Sequence, residues 1–149
     1  MKESIQFGSG SVALDPAPIC SDWILEGNPV ARCHTFSRNR DGSFSVIWDC
    51  TAGRFNWFYG LAETFYIIEG SAVLKDENGA LRRVSAGETV HFPSGSQAEW
   101  LVEKYIRKVA FCTNPQPLLR RMLGRAWRTT KRLAGQGRAQ VNPTMFQAQ

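Results

Sequence analysis

With 149 residues and a 43% hydrophobic content, the chain has the size of one domain with a real core, and it contains no run of about 18 apolar residues such as a membrane span needs. Its formal charge of +5 is unevenly laid out: residues 1–103 hold 8 basic and 13 acidic side chains, whereas residues 104–149 hold 10 basic and none acidic. The start lacks the basic stretch, apolar run and small-residue cleavage site of a secretory signal, so a cytoplasmic protein is expected. Cys20, Cys33, Cys50 and Cys112 are too scattered for a zinc site or a disulfide scaffold and read as reduced thiols.

In chain order, residues 1–22 mix Gly, Ser, Pro and Asp and predict a lead-in arm, ordered only where it pairs with a sheet edge. The main domain is expected over residues 23–113. Within it, residues 31–37 form a candidate first strand, and a turn follows at Asp41-Gly42. Segments 44–49, 54–59 and 63–69 are rich in aromatic and β-branched residues and are separated by Gly-containing breaks, the pattern of short antiparallel strands. Asn78-Gly79 is the strongest hairpin signal, because both residues tolerate the positive φ of a two-residue type I′ turn. Segments 89–92, 99–102 and 105–112 complete an all-β domain.

After Thr113 the period changes. Leu119, Met122, Leu123, Ala126, Thr130 and Leu133 recur at helical spacing, with Arg120, Arg121, Arg125, Arg128, Lys131 and Arg132 on the other face. Residues 114–149 are therefore expected to be a basic tail built on an amphipathic helix. Its apolar face suits packing on the main domain or a second subunit. Nucleic acid or an anionic surface along Arg120 to Arg132 is the disfavoured alternative.

Two motifs stand in the centre of the chain. Glu63, six residues and Gly70 reproduce the second half of the pattern G-x5-H-x-H-x3,4-E-x6-G, and Gly87, Pro93 and Gly95 fit G-x5-P-x-G-x2-H-x3-N at the right intervals. The histidine positions are held by Trp57 and Tyr59, or by Asn56 and Phe58 with the longer spacer, and by Ala98 in the second motif. On these motifs the chain resembles the cupin superfamily, and from about Trp48 to about Phe111 it is most similar to the ureidoglycine aminohydrolase-like branch, which also includes an ethanolamine-utilisation protein. The resemblance implies an antiparallel jelly-roll barrel, which the basic helix read from its own periodicity would follow. It implies no particular reaction, since the fold hosts many.

In metal-bearing cupins, imidazoles and one carboxylate converge on a divalent ion. Here only the carboxylate is kept, so no tightly held metal is expected; an oxygen-only set of Glu63 with Gln97 or Glu99 would favour a weakly held hard cation. Of the two histidines, His91 is expected on the outer face if Val90 and Phe92 point inward. Glu63 is expected in the barrel mouth among Trp57, Tyr59 and Trp100. Arg107 and Lys108 alternate, so one of them faces inward; Lys108 with Glu63 is the candidate catalytic dyad, and a purely structural ion pair is the competing reading.

Trp48, Phe55, Trp57, Tyr59, Phe65 and Trp100 are spaced as core filler. An apolar cup with one carboxylate, one cation and the polar tips of Tyr59 and Gln97 also has the make-up of a small-molecule site. Two function classes follow. One is a cupin that binds a small metabolite and performs hydrolytic or isomerising acid/base chemistry at Glu63 without a tight metal. The other is a non-catalytic binding or assembly module whose tail supplies contacts. Exposed strand edges suggest a homodimer in either case.

Overall fold

The computed structural model describes residues 5–114, so the helix expected between Arg120 and Arg132 lies outside the described residues. Eight antiparallel strands make up the fold: β1 (Asp15–Pro16), β2 (Ile24–Gly27), β3 (Ala31–Arg38), β4 (Phe44–Phe58), β5 (Ala62–Lys75), β6 (Leu81–Ser85), β7 (Thr89–Phe92) and β8 (Gln97–Thr113), with one 3-10 turn at Ser21–Trp23. The sheet runs β1-β3-β4-β8-β5-β6, with β2 added to β4 and β7 to β5.

Three long strands carry the architecture, and each is longer than its sequence signals suggest. The expected breaks at residues 50–53, 70 and 103–104 are irregularities inside β4, β5 and β8: register shifts fall between Thr51 and Gly53 and between Gly70 and Val73. The glycines there serve close approach, not chain reversal. A Cβ on Gly53 would lie 2.7 Å from Pro29, and one on Gly70, whose φ is +76°, would lie 2.0 Å from the Tyr105 carbonyl oxygen. Bulges of this kind bend a strand and increase its twist. The inward rows of β4, β5 and β8 thereby close on one core, in which Trp48 from one end of β4 meets Trp57 from the other at 5.8 Å and Trp100 of β8 at 6.1 Å.

The hairpin between β5 and β6 differs from the two-residue turn expected. Gly79 N–H donates to Asp76 C=O and Asp76 N–H to Ala80 C=O, with Gly79 at a left-handed φ of +82°. The Asp76 carboxylate also accepts from the N–H groups of Asn78 and Ala80. This is a three-residue loop closed by a glycine bulge. Asn39–Ser43 repeats the same bonding with Gly42 at +86°, in agreement with the turn read at Asp41-Gly42.

The lead-in arm is ordered by the pairing that the sequence required of it. Asp15 and Pro16 pair with Cys33 and Arg32, and Ala17 N–H donates to Ala31 C=O. Further upstream, Arg107 donates to the Val12 carbonyl at 2.8 Å, and Gly8 comes so close to the Phe36 ring that a Cβ would stand 2.4 Å from it.

Candidate functional site

Strand alternation sets what enters the barrel. On β8, Ala98, Trp100, Val102, Ile106, Lys108, Ala110 and Cys112 are buried, and Lys108 is paired in register with Trp48 on one side and Ile67 on the other. On β5, Glu63, Phe65 and Ile67 take the same face, with Glu63 opposite Cys112. Of the two alternating cations, Lys108 is thus the inward one, and its ammonium donates directly to Glu63 Oε1. Both side chains are enclosed, at 6% exposed for Lys108 and 10% for Glu63. The second carboxylate oxygen, Oε2, accepts a weak bond from the Cys112 thiol at 3.8 Å.

Aromatic rings surround the ammonium. Lys108 Nζ lies 4.2 Å from the Phe65 centroid and 5.1 Å from those of Trp48 and Trp100, distances at which a ring quadrupole attracts a cation. Tyr59 is buried, stacks on Phe92 at 4.0 Å and accepts a hydrogen bond from Trp100 Nε1 at 3.1 Å. Burial first, and the nearby Glu63 charge second, push the Tyr59 phenol well above its ordinary value, so it stays a neutral hydrogen-bonding group. Trp57 is half-buried and is flanked edge-on by Trp23, from the 3-10 turn, at 5.6 Å.

Glu63, Lys108, Tyr59, Trp57 and Trp100 therefore meet inside the barrel. Gln97 does not. It is exposed beside Asn56, Phe58, Lys75, Glu77 and Glu99 around an outer groove of about 250 Å³, because inward Ala98 forces its neighbours outward. Glu99 faces the same side and pairs with Arg54 and Lys75. The oxygen-only cation set of Glu63 with Gln97 or Glu99 is accordingly not assembled. Among the described residues no group of three or more His, Cys, Asp or Glu side chains converges. At Glu63 the neighbours are an ammonium and a protonated thiol, a donor set that does not fit a divalent ion. His91 is exposed, as alternation predicts, and its Nδ1 is 2.8 Å from Thr64 Oγ1.

Burial pushes the thiols of Cys50 and Cys112 up to about 12, with the charges of Asp49 and Glu63 respectively adding to it. A thiol raised in the folded state stabilises it below the unfolded value near 9, and that contribution fades as pH climbs from about 9 towards 12. The folded protein at pH 8.5 is expected to leave Cys50 and Cys112 unalkylated by iodoacetamide while denatured protein labels both; peptide mass spectrometry reads the difference. Rapid labelling of Cys112 in the native state would contradict the enclosed site.

Sequence reasoning missed a second ionic cluster on the opposite face of β4. Asp49, 1% exposed, accepts two bonds from Arg32 at 3.0 and 2.6 Å and one from the Tyr105 phenol at 2.8 Å, with Arg107 at 3.7 Å. Burial first, then the bond to Asp49, holds the Tyr105 phenol above its usual value. Arg107 ties this cluster to the arm through Val12, although its Nε is buried with no hydrogen-bond partner among the described residues. The signal was an Asp within a strand of apolar residues, a position such residues avoid unless paired.

A single antiparallel barrel of long bent strands, with a carboxylate kept at the motif position and turned inward, is the architecture of a cupin. Residues 38–110 match the model of the EutQ-like cupin domain, and the fold of the described residues is that of a cupin. Among solved structures, a protein of unknown function from Pseudomonas syringae pv. tomato, of the DUF861 family, is 25% identical with a TM-score of 0.66 over 70% of this chain and 46% of its own. The chain thus spans about half the length of that relative. The Clostridium difficile EutQ protein is 17% identical (TM-score 0.53, covering 68% of this chain and 83% of that one). A putative ethanolamine utilization protein Q from Salmonella typhimurium is 19% identical (TM-score 0.51, 56% and 69%). These last two likenesses bear on the fold alone. No curated protein matches the chain.

Proposed function

We propose that this cupin takes a small molecule into the aromatic-walled interior of the barrel and uses Glu63 and Lys108 there as an acid/base pair, with no tightly held metal. The observation that carries the reading is a carboxylate and an ammonium in direct contact, both some nine-tenths enclosed, where an apolar core alone would have packed at lower cost. Such a pair can hand a proton between its members and to a third group in an environment that water does not level. Chemistry of the hydrolytic or isomerising kind suits it. Kinship with the ureidoglycine aminohydrolase-like branch belongs to the same proposal, without that enzyme's reaction, since Trp57, Tyr59 and Ala98 stand where its class of motif places imidazoles.

The second reading, a non-catalytic binding or assembly module, is favoured by one feature: both oxygens of Glu63 already have partners, as a purely structural pair would. A metabolite screen by thermal shift separates the two. Ligands that raise the melting temperature of the wild type are expected to lose that effect with Glu63→Gln, and an unchanged hit list would count against the first reading.

We further propose a homodimer formed along open strand edges, since β1 and Ala17 cover only residues 31–33 of β3 and β6 ends the sheet on the other side. A reducing, cytoplasmic setting accords with four free thiols. Among the described residues no helix is long and apolar enough to cross a membrane.

A further inference from the structure

We propose that Lys108 condenses with small, uncharged aldehydes or ketones to form an imine, with Glu63 moving the protons. This rests on the reading of the Glu63–Lys108 pair as a small-molecule site and adds to it a substrate class and a covalent step. Three groups with nucleophilic potential stand together inside the barrel: the amine of Lys108, the thiol of Cys112 and the carboxylate of Glu63. The thiol is held protonated by its surroundings, with a value of about 12, which leaves the amine as the strong nucleophile once it gives up a proton. Its acceptor is already in contact. Transfer of one proton from Nζ to Oε1 replaces two enclosed charges by two neutral groups, a change that apolar walls do not oppose as water would.

The atoms balance without any co-reactant. The free pair on Nζ attacks the carbonyl carbon and a C–N bond forms, while the π pair of the C=O bond moves to oxygen and takes the proton from Glu63. The carboxylate then removes a proton from nitrogen, giving a neutral carbinolamine. Nitrogen next expels the hydroxyl, which leaves as water with the proton returned by Glu63. The product is a protonated imine facing a carboxylate, so the site begins and ends with one positive and one negative charge.

Two features of the walls select the substrate. Phe65, Trp48 and Trp100 flank Nζ at 4.2, 5.1 and 5.1 Å, so the carbon bonded to nitrogen lies among ring faces that exclude water and favour loss of the hydroxyl. An anionic substituent would arrive without a counter-charge. Among the described residues the buried charged side chains are Asp49, Glu63 and Lys108, and Asp49 points to the other face of β4.

The test is reductive trapping on the full chain. Protein is incubated with propanal or benzaldehyde and sodium cyanoborohydride, and alkylated lysines are mapped by mass spectrometry. Lys108 is expected to be labelled about ten-fold faster than the exposed Lys75 and Lys104, since neither has a carboxylate in direct contact and enclosed from water: Glu99 meets Lys75 only at 3.6 Å and in solvent. Glu63→Gln is expected to slow labelling of Lys108 about a hundred-fold and leave Lys75 and Lys104 unchanged. Lys108→Arg, which keeps the cation against Glu63, removes the label with the melting curve retained. Labelling of Lys108 no faster than that of Lys75 and Lys104 overturns the proposal. Benzyl alcohol, which cannot condense, tells the two levels apart. If it shifts the Trp indole resonances of the wild type while Lys108 stays unlabelled, the imine is refuted and the binding site stands; if it shifts nothing and Lys108 stays unlabelled, both fall.

Discussion

Replacing Lys108 with methionine is expected to lower the unfolding free energy by about 3–5 kcal/mol, the cost of leaving an enclosed charge without its partner. Methionine keeps an unbranched stem of similar length, so the loss reports the charge and not a cavity. Glu63 is 10% exposed and its second oxygen has only a weak thiol bond, so neither water nor a neighbouring donor replaces the ammonium. Combining Lys108→Met with Glu63→Leu should restore most of the stability, because an apolar pair of matching volume is often as good as the ion pair it replaces. Urea unfolding of the wild type, the two single variants and the double variant provides the coupling energy. Singles that cost under about 1 kcal/mol would mean a pair open to solvent, as surface pairs are. If the double variant is stable yet deaf to every ligand of the wild type, the pair is kept for its chemistry and not for its contribution to the fold.

The second large effect is expected at Asp49. Alanine there deprives Arg107, whose side chain is 14% exposed, and the Tyr105 phenol of their shared acceptor, while Arg32, at 46% exposed, can turn to water. A loss of about 3 kcal/mol is expected for Asp49→Ala, against a clearly smaller one for Arg32→Ala. Because Arg107 also holds the Val12 carbonyl, the same substitution should release the arm. Amide hydrogen exchange over residues 5–14 then rises in Asp49→Ala and not in Arg32→Ala. Equal losses from the two substitutions would show that Arg32, not Arg107, carries the cluster.

How much of this could be seen in the sequence depends on the range of the interaction. Features fixed by a few adjacent residues were legible: the turns at Gly42 and Gly79, the outward His91, and the inward aromatic rows of β4 and β8. The motif glycines Gly87 and Gly95 are of this kind too, since both need positive φ, at 92° and 84°. Breaks were misread where a glycine answers a distant neighbour: Gly53 makes room for Pro29 and Gly70 for Tyr105, so chain that reads as a gap is bent strand. The choice between Arg107 and Lys108 needed the register of β4 and β8, which joins residues some sixty apart and leaves no local trace. Gln97 was a different matter. With Ala98 inward, a period of two already places Gln97 outside, so that error was avoidable. Asp49 was legible as an anomaly, an acid in an apolar strand, but its partners on β3 and β8 were not.

The central claim is that the Lys108 ammonium is enclosed within the barrel against Glu63 and aromatic rings. Proton–nitrogen NMR of the lysine side chains at pH 7 and low temperature tests it most directly. The claim predicts one ammonium signal with slow solvent exchange and an upfield ring-current shift, absent in Lys108→Arg and displaced in Glu63→Gln. A spectrum in which every lysine ammonium exchanges rapidly, with the Lys108 methylene shifts of a solvated side chain, would contradict it.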